Sequence, residues 1–395
     1  MAVVAVLATN LVAGVGGPVP FAQVRPLVLE DPSHAVPPEP PPRLPPRRAT
    51  LSRQWEIEAG GQIVDGFLGG PGGVVFATHD GTVRLSSPDS GQAIWVRRLA
   101  APVEFAPAGI NRRVYIVAGH QLFALAAETG ELVWTTELPG EPAWAPVADN
   151  QRVVVSLTSG EIVIIDAGAG IPRGTASPGC LASAPPRIQR NRIAIACREG
   201  AVLLLDPDSG ETVWRRKTRA AVRTAPFIGK KSVLVADDSR RLLALGLRHG
   251  RPRYAAHLAA RPGPFLIVRQ GTVLVGAFDN MLYAFRGAGG HMLWSADIGA
   301  RPASPPAVRG DMVVSIPMLS TSIVVVDLRD GAVIGDEPLA DPDRHSAGGP
   351  VFAGRILVVA SRPVGGGPGW LTGYTVEVEE VARGVASAAA RGPSR

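Results

Sequence analysis

An aromatic residue returns about every 40 residues along this chain, and that period constrains the fold more than any other feature. Trp55, Trp95, Trp134, Trp214, Tyr254 and Trp294 fall on one ladder, with Arg173 and Ile334 on its two remaining rungs. By subtraction of those positions, the steps run from 39 to 41 residues. A glycine stands four residues ahead of most rungs, at Gly91, Gly130, Gly210, Gly250 and Gly290, while Gly170 and Gly331 stand three ahead of theirs. A fixed period of about 40 to 50 residues with strand-like content is the signature of a propeller blade.

One repeat carries the reasoning. Residues 113–117 (RVYIV) form an apolar run rich in β-branched side chains. A turn follows, then the run 122–126, then the turn ETG at 128–130, then 132–137 with its Trp134. Short apolar runs bounded by Gly, Asp, Asn or Pro read as antiparallel strands joined by hairpins. Glycine supplies the positive φ of the tight turn. The pattern recurs at 74–99, 152–177, 192–218, 232–258, 272–298 and 312–339. Ahead of each unit lies a further strand marked by a proline pair such as Ala106-Pro107, Ala145-Pro146, Ala184-Pro185 or Ala225-Pro226. Proline is tolerated at a strand's start or on an edge, which suits the innermost strand beside a central channel.

Seven units are complete. An eighth begins near Gly349 and runs through 370–378 without its last, Trp-bearing strand, whereas 53–58 around Trp55 is such a strand without a blade. Joining the two ends closes the ring and removes exposed sheet edges. The expectation is therefore an all-β, eight-bladed propeller over 51–380, with seven blades as the alternative if the eighth unit is irregular. The tryptophans are expected to pack between blades as structure, not chemistry.

The segments LDPDSGETVW at 205–214 and LAAETGELVW at 125–134, with GQAIW at 91–95 and GHMLW at 290–294, resemble the repeat of the PQQ-like β-propeller family. The resemblance covers roughly residues 51 to 380. It implies either of two functions. Shorter members include BamB-type scaffolds, eight-bladed lipoproteins that assist outer-membrane protein assembly. Others are quinoprotein dehydrogenases, which are longer and carry adjacent cysteines against their cofactor. Here Cys180 and Cys197 stand 17 positions apart, so the repeat is no evidence for the cofactor. The reading is a non-enzymatic interaction scaffold of the cell envelope whose partner is an envelope or membrane protein complex. The alternative is a small-ligand or quinone-binding propeller, an oxidoreductase or a sensor.

Other features fit that reading. No His-x-x-x-His spacing, nucleophile elbow or phosphate-binding glycine loop occurs, so no catalytic, metal or cofactor residue is assigned. The formal charge is +6. Its basic residues come in scattered pairs without interleaved aromatics, which does not make a nucleic-acid platform. Residues 1–22 read as a signal-like apolar segment lacking a basic start, and imply export. Residues 23–50 are a Pro-rich linker, expected to be an extended spacer. Residues 381–395 are expected to be a flexible tail. Any membrane contact is expected to be indirect or through the N-terminal segment. No cysteine precedes Cys180, where BamB-type members carry a lipid-attachment cysteine. If the strands around 184 and 192 pair through a turn near Gln189, Cys180 and Cys197 face one another across the ladder. They are then either a disulfide of an oxidising compartment or two small buried residues.

Overall fold

The computed structural model of the protein describes residues 44–110 and 112–381. The signal-like segment, most of the Pro-rich linker and nearly all of the C-terminal tail lie outside the described residues. Within them every regular element is a β-strand, gathered into eight antiparallel sheets. Blades 1 to 7 span 68–98, 108–137, 147–176, 187–217, 227–257, 262–297 and 307–338, each with four strands in sequence order from the channel outward. The proline pairs fall immediately before the innermost strands, as Pro146 does before Val147–Ala148 and Pro226 before Phe227–Ile228. There the absent N–H removes nothing from the ladder.

The middle strands are buried on both faces because each sheet is sandwiched between neighbouring blades. Arg152–Ser156 and Ala201–Leu205 are buried at every position. Such strands read as continuous apolar runs, whereas the outermost strand is mostly exposed, as in Thr212–Lys217, where Trp214 alone is buried. The apolar core is thus divided into eight clusters, one per interface. Val75, Leu85 and Trp95 of blade 1 pack with Val114, Ile116 and Leu125 of blade 2. Trp55 and Val358 of blade 8 pack with Val74 and Phe76 of blade 1.

That last cluster exists because the ring closes as the sequence implies. Arg47–Glu58 is the outermost strand of blade 8 and pairs antiparallel with Trp370–Glu380, from Arg47 opposite Glu380 to Glu58 opposite Trp370. It reaches back to Arg47, inside the stretch assigned to the linker. Blade 8 is irregular only at its inner edge. There Arg344–Ser346 and Val351–Ala353 both pair with Ile356–Pro363. The ring has eight blades, and the seven-bladed alternative is set aside.

The register corrects two rungs of the ladder. In blade 1 Leu85 pairs with Trp95 and Ser86 with Ala93, leaving Ile94 as a bulge. In blade 3 the residue opposite Ile164 is Gly174, and Arg173 is the bulged residue. In blade 7 Gly335 lies opposite Val325, and Ile334 is bulged. A bulge inserts one residue and displaces its neighbour to the other face. The true rungs are Gly174 and Gly335, each four residues past Gly170 and Gly331, so the glycine spacing is uniform.

Candidate functional site: loop faces and channel mouth

The ring has two faces. One carries the turns between first and second strands and between third and fourth strands of each blade. The other carries the turns between second and third strands and the crossovers between blades. They are named here the turn face and the crossover face.

On the turn face each aromatic rung fastens its blade to the next. The Trp214 indole N–H donates to the Leu247 carbonyl of blade 5 at 3.0 Å. Its ring lies over Gly250, where a Cβ would stand 2.7 Å from the ring. Trp55, Trp95, Trp134 and Trp294 repeat the bond to Pro88, Ala127, Ala167 and Leu328 at 2.7–3.3 Å. The Tyr254 hydroxyl donates to Gly287 at 2.9 Å. Gly91, Gly130, Gly170, Gly290 and Gly331 sit under these rings as Gly250 does, with 2.4–2.7 Å to a hypothetical Cβ. Each glycine therefore serves the ring of the preceding blade as well as its own turn. Gly210 does not, because the blade 3 rung is Gly174; a Cβ there would meet the Thr175 carbonyl at 3.3 Å.

Two interfaces, 3/4 and 7/8, thus lack a ring, and each has an arginine–aspartate bridge instead. Arg152 of blade 3, 3% exposed, pairs with Asp208 in the turn of blade 4. The Arg152 guanidinium and then the Asn191 amide hold the Asp208 carboxyl below its usual range. Arg47 of blade 8 lies 3.6 Å from both Asp311 and Asp327 of blade 7. Burial pushes the Asp327 carboxyl up, but the Arg329 fork and the Arg329 backbone N–H outweigh it and leave the pKa lowered.

On the crossover face Cys180, in the link from blade 3 to blade 4, is bonded to Cys197 with Cα atoms 5.8 Å apart. Ala182 of the same link bridges to Cys197, which ends the second strand of blade 4. Among the described residues the cluster able to hold a metal is Cys180, Cys197 and Glu199, where the two sulfurs are bonded to each other.

The channel mouth on the turn face holds a recess of about 710 Å³ lined by blades 1 to 4, with Ile110, Val147, Asp149, Arg187, Gln189 and Asn191 on its walls. Arg187 is open to solvent yet ringed by the channel walls. That enclosure, then the like charge of Arg269, pulls its pKa below the ordinary arginine range. Burial and then Arg355 do the same to Arg309. Arg269 and Arg309 end the innermost strands of blades 6 and 7 at equivalent register positions. No carboxylate among the described residues lies within ion-pair distance of Arg187, Arg269, Arg309 or Arg355. Sequence reasoning treated the basic residues as scattered. The signal available was their phase in the repeat, which places these arginines at one end of one channel.

The family model described as "Outer membrane protein assembly factor BamB" matches residues 48–178, 173–262 and 198–367. The outer membrane protein assembly factor BamB of Moranella endobia (strain PCIT) is 23% identical over 197 residues, 45% of this chain and 49% of the relative. The match thus spans about half of that protein's length. BamB from Moraxella catarrhalis has a similar structure, with a TM-score of 0.63 at 18% identity over 82% of this chain and 98% of that one. So has the computationally designed Ika8 protein, with a TM-score of 0.66 at 16% identity over 80% and 99%. The quinohemoprotein alcohol dehydrogenase ADHIIG from Pseudomonas putida shares the fold as well, with a TM-score of 0.63 at 11% identity over 82% and 76%. With the family model matched along most of the ring, the chain belongs to the family of the outer membrane protein assembly factor BamB.

Proposed function

We propose that the ring is a non-enzymatic protein–protein interaction scaffold of the cell envelope, acting in outer-membrane protein assembly. The observation that carries this reading is the BamB family match from 48 to 367. The physics agrees with it. The repeated side chains are consumed in holding blades together, which leaves two broad loop faces free to vary. Export to the periplasmic side of the envelope goes with this reading, and an oxidising compartment suits the Cys180–Cys197 bond.

The second reading is a quinone- or small-ligand-binding oxidoreductase, favoured by the fold shared with the alcohol dehydrogenase. Affinity purification of the full chain from native envelopes separates the two. Reproducible recovery of an outer-membrane β-barrel insertion complex is the expected result. A bound chromophore, or dye-linked alcohol oxidation by the pure protein with added quinone, would overturn the scaffold.

A further inference from the structure

Between Glu211 and Asp311 the sequence holds four acidic residues, Asp237, Asp238, Asp279 and Asp297. The strand order puts all four at the crossover face, in turns between second and third strands or at the ends of outermost strands. The same hundred-residue stretch places Lys230, Lys231, Arg248, Arg251, Arg269 and Arg286 at the turn face, all exposed. None of these six takes part in an ion pair among the described residues, although arginines elsewhere on the ring pair freely with Asp and Glu. Blades 5 and 6 therefore present a single-sign sector on one face. It runs inward from the turn tips to Arg269 at the channel, where Arg187, two blades away on the recess wall, stands without a carboxylate partner among the described residues.

We infer that this sector is a docking surface for an extended acidic segment of a partner protein, lying across the turns of blades 5 and 6 with its end in the channel mouth. The inference rests on the scaffold reading and names the chemistry of the partner. Two features select a polypeptide over a flat anionic bilayer. Arg187 lies on the wall of the recess, two residues inward of the turn-face end of its strand, where an extended chain can enter and a planar surface meets the turn tips first. The same face also carries exposed Glu379, Glu380 and Asp330 on blades 7 and 8, which a membrane lying on that face would have to meet. Exposed Asp208 on blade 4 and Asp330 on blade 7 flank the sector, orienting a narrow acidic ligand and rejecting misplaced ones, since like charges oppose docking elsewhere. Arginine forks and lysine ammonium groups both serve carboxylates, the former in a fixed bidentate geometry.

The test uses the purified full chain and a fluorescent octaglutamate peptide, read by anisotropy at low and at physiological salt. Binding should weaken with salt, as for solvent-exposed charges. The double variants K230E with K231E, and R248E with R251E, should each weaken it roughly tenfold. R187Q, which changes the channel wall in blade 4 and not the turns of blades 5 and 6, should weaken it as well. The control pair R216E with K217E, on the outermost strand of blade 4 at its crossover end, should leave it unchanged. Circular dichroism and melting temperature establish that each variant is folded. Equal loss in the control pair, or unchanged affinity in both sector variants, overturns the inference. So does sector-dependent binding of phosphatidylglycerol vesicles by a chain that does not bind the peptide. These outcomes are independent of which proteins the chain retrieves from envelopes, so failure here is distinguishable from failure of the scaffold reading.

Discussion

The fastening of Trp214 on Gly250 makes a prediction whose size can be worked out beforehand. Gly250 has φ of +63° and lies beneath the Trp214 ring, with a hypothetical Cβ 2.7 Å from one ring carbon and 2.8 Å from another. Gly271 has φ of +80° with nothing within 4 Å of its hypothetical Cβ. Alanine at either site pays for the left-handed backbone, about 1–2 kcal/mol. Only at Gly250 must it also push a ring that is held at 3.0 Å by its indole bond and packed against Val233 and Val235. Overpacking of a filled site costs about 1–3 kcal/mol. Gly271→Ala should therefore lose about 1–2 kcal/mol, and Gly250→Ala about 2–5 kcal/mol.

The decisive measurement is the double variant. Trp214→Ala alone should lose about 3–5 kcal/mol, from the buried area and the cavity left behind. With the ring gone, Gly250→Ala should add only its backbone cost, so the two losses fall short of their sum by about 1–3 kcal/mol. Urea unfolding midpoints, with m checked for constancy, read all four proteins. Equal losses at Gly250 and Gly271, or an undiminished Gly250 penalty when Trp214 is alanine, would refute the claim that the glycine makes room for the ring of the neighbouring blade.

Two further outcomes are expected. Peptide mapping of the protein without reductant should recover Cys180 and Cys197 as one linked pair, and recovery of free thiols alone would remove both the bridge and an argument for the proposed export. The Asp208 and Asp327 carboxyls have folded pKa values below their unfolded values, so their contribution is present above about pH 4 and is lost as pH falls through the folded values; hydrogen exchange in acid should then lose protection at the 3/4 and 7/8 interfaces before the others, and uniform loss would contradict this.

Much of the architecture is legible in the sequence because a propeller repeats one local solution. The period, the proline pairs and the split final blade each reflect a requirement that every blade meets separately. The errors have the same origin. Arg173 and Ile334 filled gaps in an aromatic ladder, but one bulged residue per blade decides which neighbour faces inward, and hydropathy does not register a bulge. The shortened glycine spacing at Gly170 and Gly331 was the available sign. The double duty of those glycines was not legible, because the ring each one accommodates lies about 36 residues earlier on a different blade. The channel arginines were hidden for a further reason. A charge has no meaning for a site until the fold assigns it a face, and Asp237 and Lys231, close in sequence, end at opposite faces.

The distribution of fasteners gives the ring a division that its uniform period conceals. Rings clasp blade 8 to 1, 1 to 2 and 2 to 3, and again 4 to 5, 5 to 6 and 6 to 7. The two interfaces without a ring, 3/4 and 7/8, stand opposite one another, so the circle is two clasped arcs of four blades joined by two seams. Each seam retains an apolar cluster, but on the turn face it relies on Arg152 with Asp208, or Arg47 with Asp311 and Asp327. Unlike the rings, these ion pairs depend on ionised carboxylates and so respond to acid. Blades 5 and 6, with their unpaired basic turns, lie in the middle of one clasped arc. A docking surface set there keeps its geometry when acid loosens the seams, because every interface beneath it is held by an aromatic ring and a glycine, and the one titratable ring, Tyr254, has its pKa raised by burial and stays neutral in acid.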